Sequence, residues 1–348
     1  MLRALIACLI FSVFSSTILL AQDDAKCFEC HGKTEFARKT STQGKSLFVD
    51  KKDFTSSTHA ENGCVSCHSD IDKLPHNAKL KPVSCSECHE DQQKIYDKSI
   101  HGKERAKGDK DVASCGDCHT YHSVKPAKDP TSSIYQLNLP KTCGKCHANT
   151  DMAARHQIPI ADAFQQYVDS VHDKALLKGG LLFSASCTDC HGGHDILPEK
   201  DPSSRISTKN VPNTCGKCHV GVLAEYKNSS HGMQWVKGSA SAATCKDCHV
   251  THEIKNTASS KFQLSTIMEC GNCHKKLLET YQQTEHGKLI AKGVILSAKC
   301  SDCHGSHNIL PHSSPSSMLS SQNRLATCRK CHRDIDEKFT KFGPHVAS

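Results

Sequence analysis

The chain begins with one long apolar run, which predicts a targeting segment. Arg3 precedes a mainly apolar stretch over residues 4–20, and the small residue Ala21 stands before the polar residues that start at Gln22. A positive charge, a short apolar core and a small residue predict a secretory signal peptide over residues 1–21, cleaved near Ala21. An uncleaved membrane anchor is the alternative, which serine and threonine at four positions of the stretch disfavour. No other stretch is apolar enough to cross a membrane.

After this run, apolar positions are sparse and are spaced as in short helices. Only 37% of the residues are hydrophobic and 5% are aromatic, which is less than globular domains usually contain. At four places an aromatic residue stands seven positions after a histidine, so both would share one face of a helix. These aromatic residues are Tyr96, Tyr226, Tyr281 and Phe339. The pattern predicts a mostly α and coil fold with little β-structure and no conventional apolar core.

Cysteine and histidine are abundant where large apolar residues are scarce. The chain has 23 cysteines and 24 histidines, and a small apolar core needs disulfides, metals or a bulky cofactor for cohesion. Every cysteine after Cys8 belongs to a C-x-x-C pair that is followed directly by histidine. The eleven copies begin at Cys27, Cys64, Cys85, Cys115, Cys143, Cys187, Cys215, Cys245, Cys270, Cys300 and Cys328.

The C-x-x-C-H motif is the attachment signal for c-type haem. Two cysteines three positions apart lie on one side of a helical turn, where each thiol can form a thioether with one vinyl group of the same porphyrin. The next residue brings an imidazole beneath the ring as an iron ligand. Zinc ribbons, iron–sulfur sites and disulfides do not require a histidine after every pair. The motifs therefore predict eleven covalently bound haem c groups.

The motif residues divide into attachment sites and proximal iron ligands. The second cysteines of the pairs are Cys30, Cys67, Cys88, Cys118, Cys146, Cys190, Cys218, Cys248, Cys273, Cys303 and Cys331. The predicted proximal ligands are His31, His68, His89, His119, His147, His191, His219, His249, His274, His304 and His332.

A repeated unit organises the chain. It consists of an aromatic residue, a histidine five positions later, a Lys-Gly pair, the segment C-x-x-C-H-x-x-H and a second C-x-x-C-H. We predict a single-haem segment over residues 22–53 and a divergent two-haem unit over residues 54–95. Four regular two-haem units follow over residues 96–166, 167–225, 226–280 and 281–348. The first of these carries an insertion after His147, and the last ends in a further histidine segment.

Histidines outside the motifs supply candidates for the sixth ligand of each iron. His345 lies slightly further from its motif than the others do, and His156 and His312 are predicted to be surface residues. The predicted distal ligands are His59, His76, His101, His122, His172, His194, His231, His252, His286, His307 and His345. The sequence thus predicts bis-histidine iron at most sites.

The spacing of these histidines predicts that each serves a different motif from the one just before it. His191 and His194 are about 5 Å apart along a helical turn, so they cannot flank one iron from opposite sides. His219 and His231 would be about 18 Å apart if the intervening residues were helical. One short segment therefore ties two haems together, which predicts close haem neighbours.

Several segments resemble the bacterial periplasmic multihaem c-type cytochromes with doubled C-x-x-C-H motifs, the cytochrome c3-like class. They are GCVSCHSDIDKLPH, SIHG, CTDCHGGHDILP and TCGKCH, and the resemblance extends from Cys27 to His345. It implies an elongated array of short helices around stacked haems. It also implies partners such as a membrane quinol-oxidising module and a terminal reductase or outer-membrane conduit. The region around His76, the insertion after His147 and the position of His345 depart from the class pattern.

Six-coordinate iron has no vacant position for a substrate, so its chemistry is one-electron exchange. The sequence therefore predicts electron transfer by a carrier that is not itself an enzyme, and the resemblance implies that this transfer is respiratory. One alternative is a reductase of nitrite, hydroxylamine or a sulfur oxyanion with one open iron, although no C-x-x-C-K motif occurs. A second alternative is a subunit of a cytochrome filament.

The net charge of the polypeptide alone does not indicate the partners of the protein, because the haem propionates add negative charge. The chain carries a formal net charge of +8, which alone would suggest nucleic acid or an anionic membrane. Two propionates on each of eleven haems would outweigh that charge and make the loaded protein anionic. Nucleic acid is therefore not an expected partner, whereas a peripheral contact with a membrane stays open.

Overall fold

The computed structural model describes residues 24–38, 45–341, 343 and 345. The predicted signal peptide over residues 1–21 lies outside the described residues. The chain divides into two compact units, Met1–Cys88 with Thr120–Lys125, and His89–His119 with Pro126–Ser348. Within residues 24–38 and 45–341, no helix combines the length and the apolarity that a membrane span requires.

The smaller unit is built from short elements around three attachment motifs. Its helices are α1 (Asp24–His31) and α2 (Lys51–Thr55), and strands β1 (Ala37–Arg38) and β2 (Lys45–Ser46) form an antiparallel pair. Single 3₁₀ turns cover Ala60–Asn62, Cys64–Ser66 and Cys85–Glu87. Asp50 caps α2, because its carboxylate accepts hydrogen bonds from the backbone N–H groups of Lys52 and Asp53.

The larger unit consists of helices joined by turns. They are α3 (Glu90–Lys98), α4 (Ile100–Ala106), α5 (Cys115–His119), α6 (Leu139–His147), α7 (Thr150–Arg155), α8 (Ala163–Val168), α9 (Val171–Asp173), α10 (Cys187–His191), α11 (Val211–Gly216), α12 (Val220–Lys227), α13 (Ser230–Val236), α14 (Cys245–His249), α15 (Ser260–Cys273), α16 (Lys275–Gln283), α17 (Glu285–Ala291), α18 (Cys300–His304) and α19 (Arg324–Arg329). A π-helical turn follows α9 at Lys174–Lys178, and a 3₁₀ turn covers Phe339–Lys341.

Each regular unit opens with a helix pair that meets at a capping hydroxyl. In the pair α12 and α13, the Ser229 side chain accepts a hydrogen bond from the backbone N–H of Gly232. A Cβ atom added to Gly232 would lie 1.8 Å from the backbone oxygen of Tyr226, so the close turn needs glycine there. Ser99, Ser170 and Thr284 cap the corresponding helices of the other units.

The aromatic residue that starts each regular unit forms a hydrogen bond with the backbone just before the next motif. The Tyr226 hydroxyl donates a hydrogen bond of 2.8 Å to the backbone oxygen of Ala243, two positions before Cys245. Tyr96, Tyr167 and Tyr281 donate in the same way to Ala113, Ala185 and Ala298. The tyrosine therefore has a role within the polypeptide.

Backbone hydrogen bonds join successive repeated units of the sequence. Ile100, one position before His101, donates 2.8 Å to the oxygen of Ile196, two positions after His194. The same bond joins Val171 to Ile254, Ser230 to Ile309 and Thr58 to Val124. In these four units the early histidine, five positions after the aromatic residue, lies beside a bond to the following unit. That bond ends two positions after the closing histidine, which is the last residue of C-x-x-C-H-x-x-H.

The buried interior is small and rich in hydroxyl groups. The largest fully buried side chains are Leu176, Thr244, Pro140, Pro212, Ser99, Ser170 and Ser229. Several large apolar side chains lie outside it, and Phe183 and Leu296 are 92% and 89% exposed. The prediction of short helices, little β-structure and no conventional apolar core is confirmed.

Candidate haem-binding sites

The first motif of each regular unit is itself one helical turn, in α5, α10, α14 and α18. An aspartate between the two cysteines closes it: the Asp247 carboxylate accepts hydrogen bonds from the backbone N–H and the hydroxyl of Thr244, at 2.7 and 2.9 Å. Asp117, Asp189 and Asp302 accept from the backbone N–H of the residue before the first cysteine in the same way. The helical turn brings both thiols of the motif to one side.

Cysteines of successive motifs contact each other at four places in the described part of the chain. The thiol of Cys143 shares a hydrogen bond with that of Cys187, and Cys215 and Cys270 meet Cys245 and Cys300 in the same way. In the smaller unit, Cys64 meets Cys27. None of the described cysteines forms a disulfide, so they are open to thioether bonds. Groups bonded to successive motifs would therefore be near neighbours.

Motif histidines face histidines from elsewhere in the chain at a constant separation. In nine such pairs the ring centroids are 5.8 to 6.3 Å apart. The pairs are His31 with His76, His68 with His122, His101 with His147, His119 with His194, His172 with His219, His191 with His252, His231 with His274, His249 with His307, and His286 with His332.

This separation fits an iron ion between the two rings. A first-row metal ion holds an imidazole nitrogen at about 2.0–2.1 Å, so two imidazoles on opposite sides of one ion have centroids roughly 6 Å apart. The same gap is too wide for direct contact between the rings, which would bring carbon atoms to about 3.5–4.0 Å. The residues present thus fit a six-coordinate haem iron.

The pairs follow two rules. A first-motif histidine faces the closing histidine of the following unit, as His191 faces His252, and the planes of such pairs differ by 7 to 30°. A second-motif histidine faces the early histidine of its own unit, as His219 faces His172, with planes 42 to 49° apart. His31 with His76 belongs to the first class. Each closing histidine therefore reaches across a unit boundary.

Burial favours the neutral form of several of these imidazoles, which is the form that binds a metal. Burial, together with the nearby His252, lowers the pKa of His191 to about 4. Burial also lowers the pKa of His101 and His249.

Backbone carbonyl groups orient two of the rings in the smaller unit. The Nδ1 atoms of His31 and His76 lie 2.8 Å from the backbone oxygens of Leu47 and Asn77. An Nδ1–H that donates to a carbonyl leaves Nε2 for a metal.

A cavity of about 270 Å³ lies between His286 and His332. Leu289, Val294 and Leu296 line it with apolar groups. The Leu296 side chain is highly exposed because it borders this space between two candidate iron ligands. A porphyrin there would cover the apolar groups.

Most predicted site residues come together, and His312 has a neighbour that the sequence did not predict. His312, predicted to be a surface residue, is exposed but lies beside His304, with ring centroids 5.6 Å apart; His345 lies at 6.3 Å from the same ring. His156 does not face a motif histidine, and its Nδ1 lies 3.1 Å from the Asp109 carboxylate. The pairing of His59 and of His89 stays a prediction.

Two parts of the chain match known families. Residues 256–333 match the family model described as cytochrome c7 and related cytochrome c. Residues 34–147 match the model of the class III cytochrome c family. Searches with the chain gave no match among curated proteins and none among solved structures. The chain is therefore similar, in both matched parts, to proteins with covalently bound haem c.

Proposed function

We propose that this chain, which is a multihaem c-type cytochrome, holds eleven haems and passes single electrons along them between redox partners in the periplasm. Electron transfer is the function that both matched families imply. The number of haems, the location and the respiratory role are the proposal. The observation that carries it is the iron-sized gap between paired imidazoles, repeated in nine pairs.

The polypeptide would hold each haem by three residues of one motif and a fourth residue from another segment. At the site that begins at Cys187, Cys187 and Cys190 would form the two thioethers and His191 the proximal bond. His252 would complete the coordination from the opposite side, since it lies 5.9 Å from His191. A haem iron held in this way changes between ferric and ferrous states by one electron.

Occupied axial positions would keep substrates away from these irons. Each of the nine paired sites offers two imidazoles that would fill both axial positions of one iron. This arrangement supports a carrier over the reductase that the sequence left as an alternative, because a reductase needs a position at which its substrate can bind.

Close succession of the sites would support transfer along the larger unit. The contacts between Cys143 and Cys187, and between Cys215 and Cys245, bring the attachment points of successive haems together. A closing histidine such as His194 would then hold the haem at Cys115 and lie beside the first motif of the following unit, which begins at Cys187. Electrons would pass from one repeated unit to the next.

Location and partners follow from the class. Multihaem c-type cytochromes of the two matched families are typically extracytoplasmic, which agrees with the predicted signal peptide over residues 1–21. We propose a membrane quinol-oxidising module as electron donor and a terminal reductase or outer-membrane conduit as acceptor. The propionates would give the loaded protein a negative surface charge.

Electron paramagnetic resonance (EPR) of the oxidised holo-protein tests the carrier against the reductase. The carrier is expected to show low-spin ferric signals that nitrite and hydroxylamine leave unchanged. Reduction by dithionite and reoxidation should be complete in the presence of either compound. A stoichiometric high-spin signal that shifts with nitrite, or turnover of nitrite or hydroxylamine, would replace the carrier with the reductase.

A further inference from the structure

The site that begins at Cys300 departs from the pairing rules of the other first motifs. His191 and His249 each face the closing histidine of the following unit. After His307 this sequence has no further C-x-x-C-H-x-x-H segment. Two histidines of other origin, His312 and His345, lie beside His304 instead.

His312 has the geometry of a first-motif ligand. Its ring plane is 18° from that of His304, within the 7 to 30° range of the other first-motif pairs. It ends the segment Leu-Pro-His, which also occurs at His76. His76 stands at the same distance in sequence from its preceding motif, and it faces His31 with planes 7° apart. The same local sequence thus presents an imidazole to a motif histidine at two places.

His345 is oriented for the same iron by a hydrogen bond. Its Nδ1 lies 3.2 Å from the hydroxyl oxygen of Thr280, and that hydroxyl donates its own hydrogen to the backbone oxygen of Leu277 at 3.0 Å. The Thr280 oxygen therefore accepts the Nδ1–H of His345, and this tautomer leaves Nε2 unprotonated for a metal. The His345 plane is 44° from that of His304.

We propose that His312 and His345 are alternative sixth ligands of the iron held by His304, so that this haem exchanges its distal ligand. The inference rests on the proposed haem attachment at Cys300 and Cys303. In the exchange, one iron–imidazole bond breaks and another forms, without transfer of an electron or a proton to solvent. The two forms differ in the angle between the axial rings, 18° or 44°. They also differ in the hydrogen bond between His345 and Thr280, and hydrogen bonds around the axial ligands tune the potential of a haem.

Single and double substitutions test the proposal by EPR with spin quantification and by intact mass. His312→Ala and His345→Ala should each keep every ferric haem low-spin, with a changed low-spin signal from one haem. The double variant should gain one high-spin haem per chain. His307→Ala, which affects the haem of His249, is the matched control and should gain one high-spin haem by itself.

A high-spin haem in either single variant would overturn the exchange, because the remaining histidine would then not be a ligand. A double variant that stays wholly low-spin would exclude both histidines. Failure of the proposed function looks different: the wild-type protein would have fewer than eleven haems by mass, or His307→Ala would leave the spin states unchanged.

Discussion

The imidazoles of His191 and His252 face each other with ring centroids 5.9 Å apart and planes 9° apart, although they belong to different repeated units. His191 is fixed by the helical turn of its own motif, while His252 closes the next unit. A single iron between them would tie the two units together, so haem binding and the tertiary structure depend on each other. The backbone bond from Val171 to Ile254 supports the same contact.

Removal of a distal histidine should open one iron and leave the others closed. His252→Ala is expected to convert the haem at Cys187 to a high-spin ferric form, because no other histidine ring is paired with His191. EPR with spin quantification measures the change. His156→Ala is the control, since His156 faces a carboxylate rather than a motif histidine. An unchanged low-spin spectrum of His252→Ala would contradict the assigned pair.

The aspartate within the first motif should contribute to stability. Asp247→Ala removes the carboxylate that accepts hydrogen bonds from Thr244, and loss of such a cap costs about 0.5–2 kcal/mol. The free energy of unfolding in guanidinium chloride should fall by that amount. Glu225→Ala on the exposed side of α12 is the control and should change it little. Equal effects of both substitutions would show that the cap has no special role.

Two glycines of the helix pair α12 and α13 should respond in opposite directions to alanine. At Gly232 the added Cβ would meet the backbone oxygen of Tyr226 at 1.8 Å, so Gly232→Ala should lower the free energy of unfolding by about 1–3 kcal/mol. At Gly221, within α12, nothing lies within 4 Å of an added Cβ. Gly221→Ala should therefore stabilise the protein by about 0.5–1 kcal/mol. Thermal unfolding of both variants checks the contrast, and a tolerated Gly232→Ala would contradict the close turn.

The buried tyrosine predicts a loss of stability at alkaline pH. Burial raises the pKa of Tyr226 to about 12 from its ordinary value near 10. The folded state therefore favours the protonated hydroxyl, and this contribution is complete below pH 10 and disappears as the pH rises towards 12. Unfolding by guanidinium chloride between pH 9 and 12 should show a shallower pH dependence for Tyr226→Phe than for the wild type. Parallel pH profiles would show that the hydroxyl does not titrate with folding.

Much of the site could be predicted from the sequence because covalent attachment needs a fixed local spacing. C-x-x-C-H identifies the cysteines and proximal histidines by residue type alone. The repeat also indicated that closing histidines such as His252 serve a different motif. It did not specify which motif, because that depends on how one unit packs on the next, as the bond from Ile100 to Ile196 shows.

Other features depend on contacts that the sequence does not reveal. The aspartate at the third position of four first motifs is a recurrent signal, and its capping role could have been predicted from it. His312 was assigned to the surface because Glu199 stands at the corresponding position of another unit. In the structure Glu199 forms an ion pair with Lys246, whereas His312 faces His304. The same position thus contacts different groups in different units.

The haem content of the purified holo-protein tests the central claim most directly. Intact mass spectrometry under denaturing conditions counts the haems that remain bonded to the polypeptide. The pairs of cysteines that follow Cys8 predict eleven haems on every chain. A colourless but folded protein, or a chain that carries only a few haems, would contradict an interior built from porphyrins and paired imidazoles.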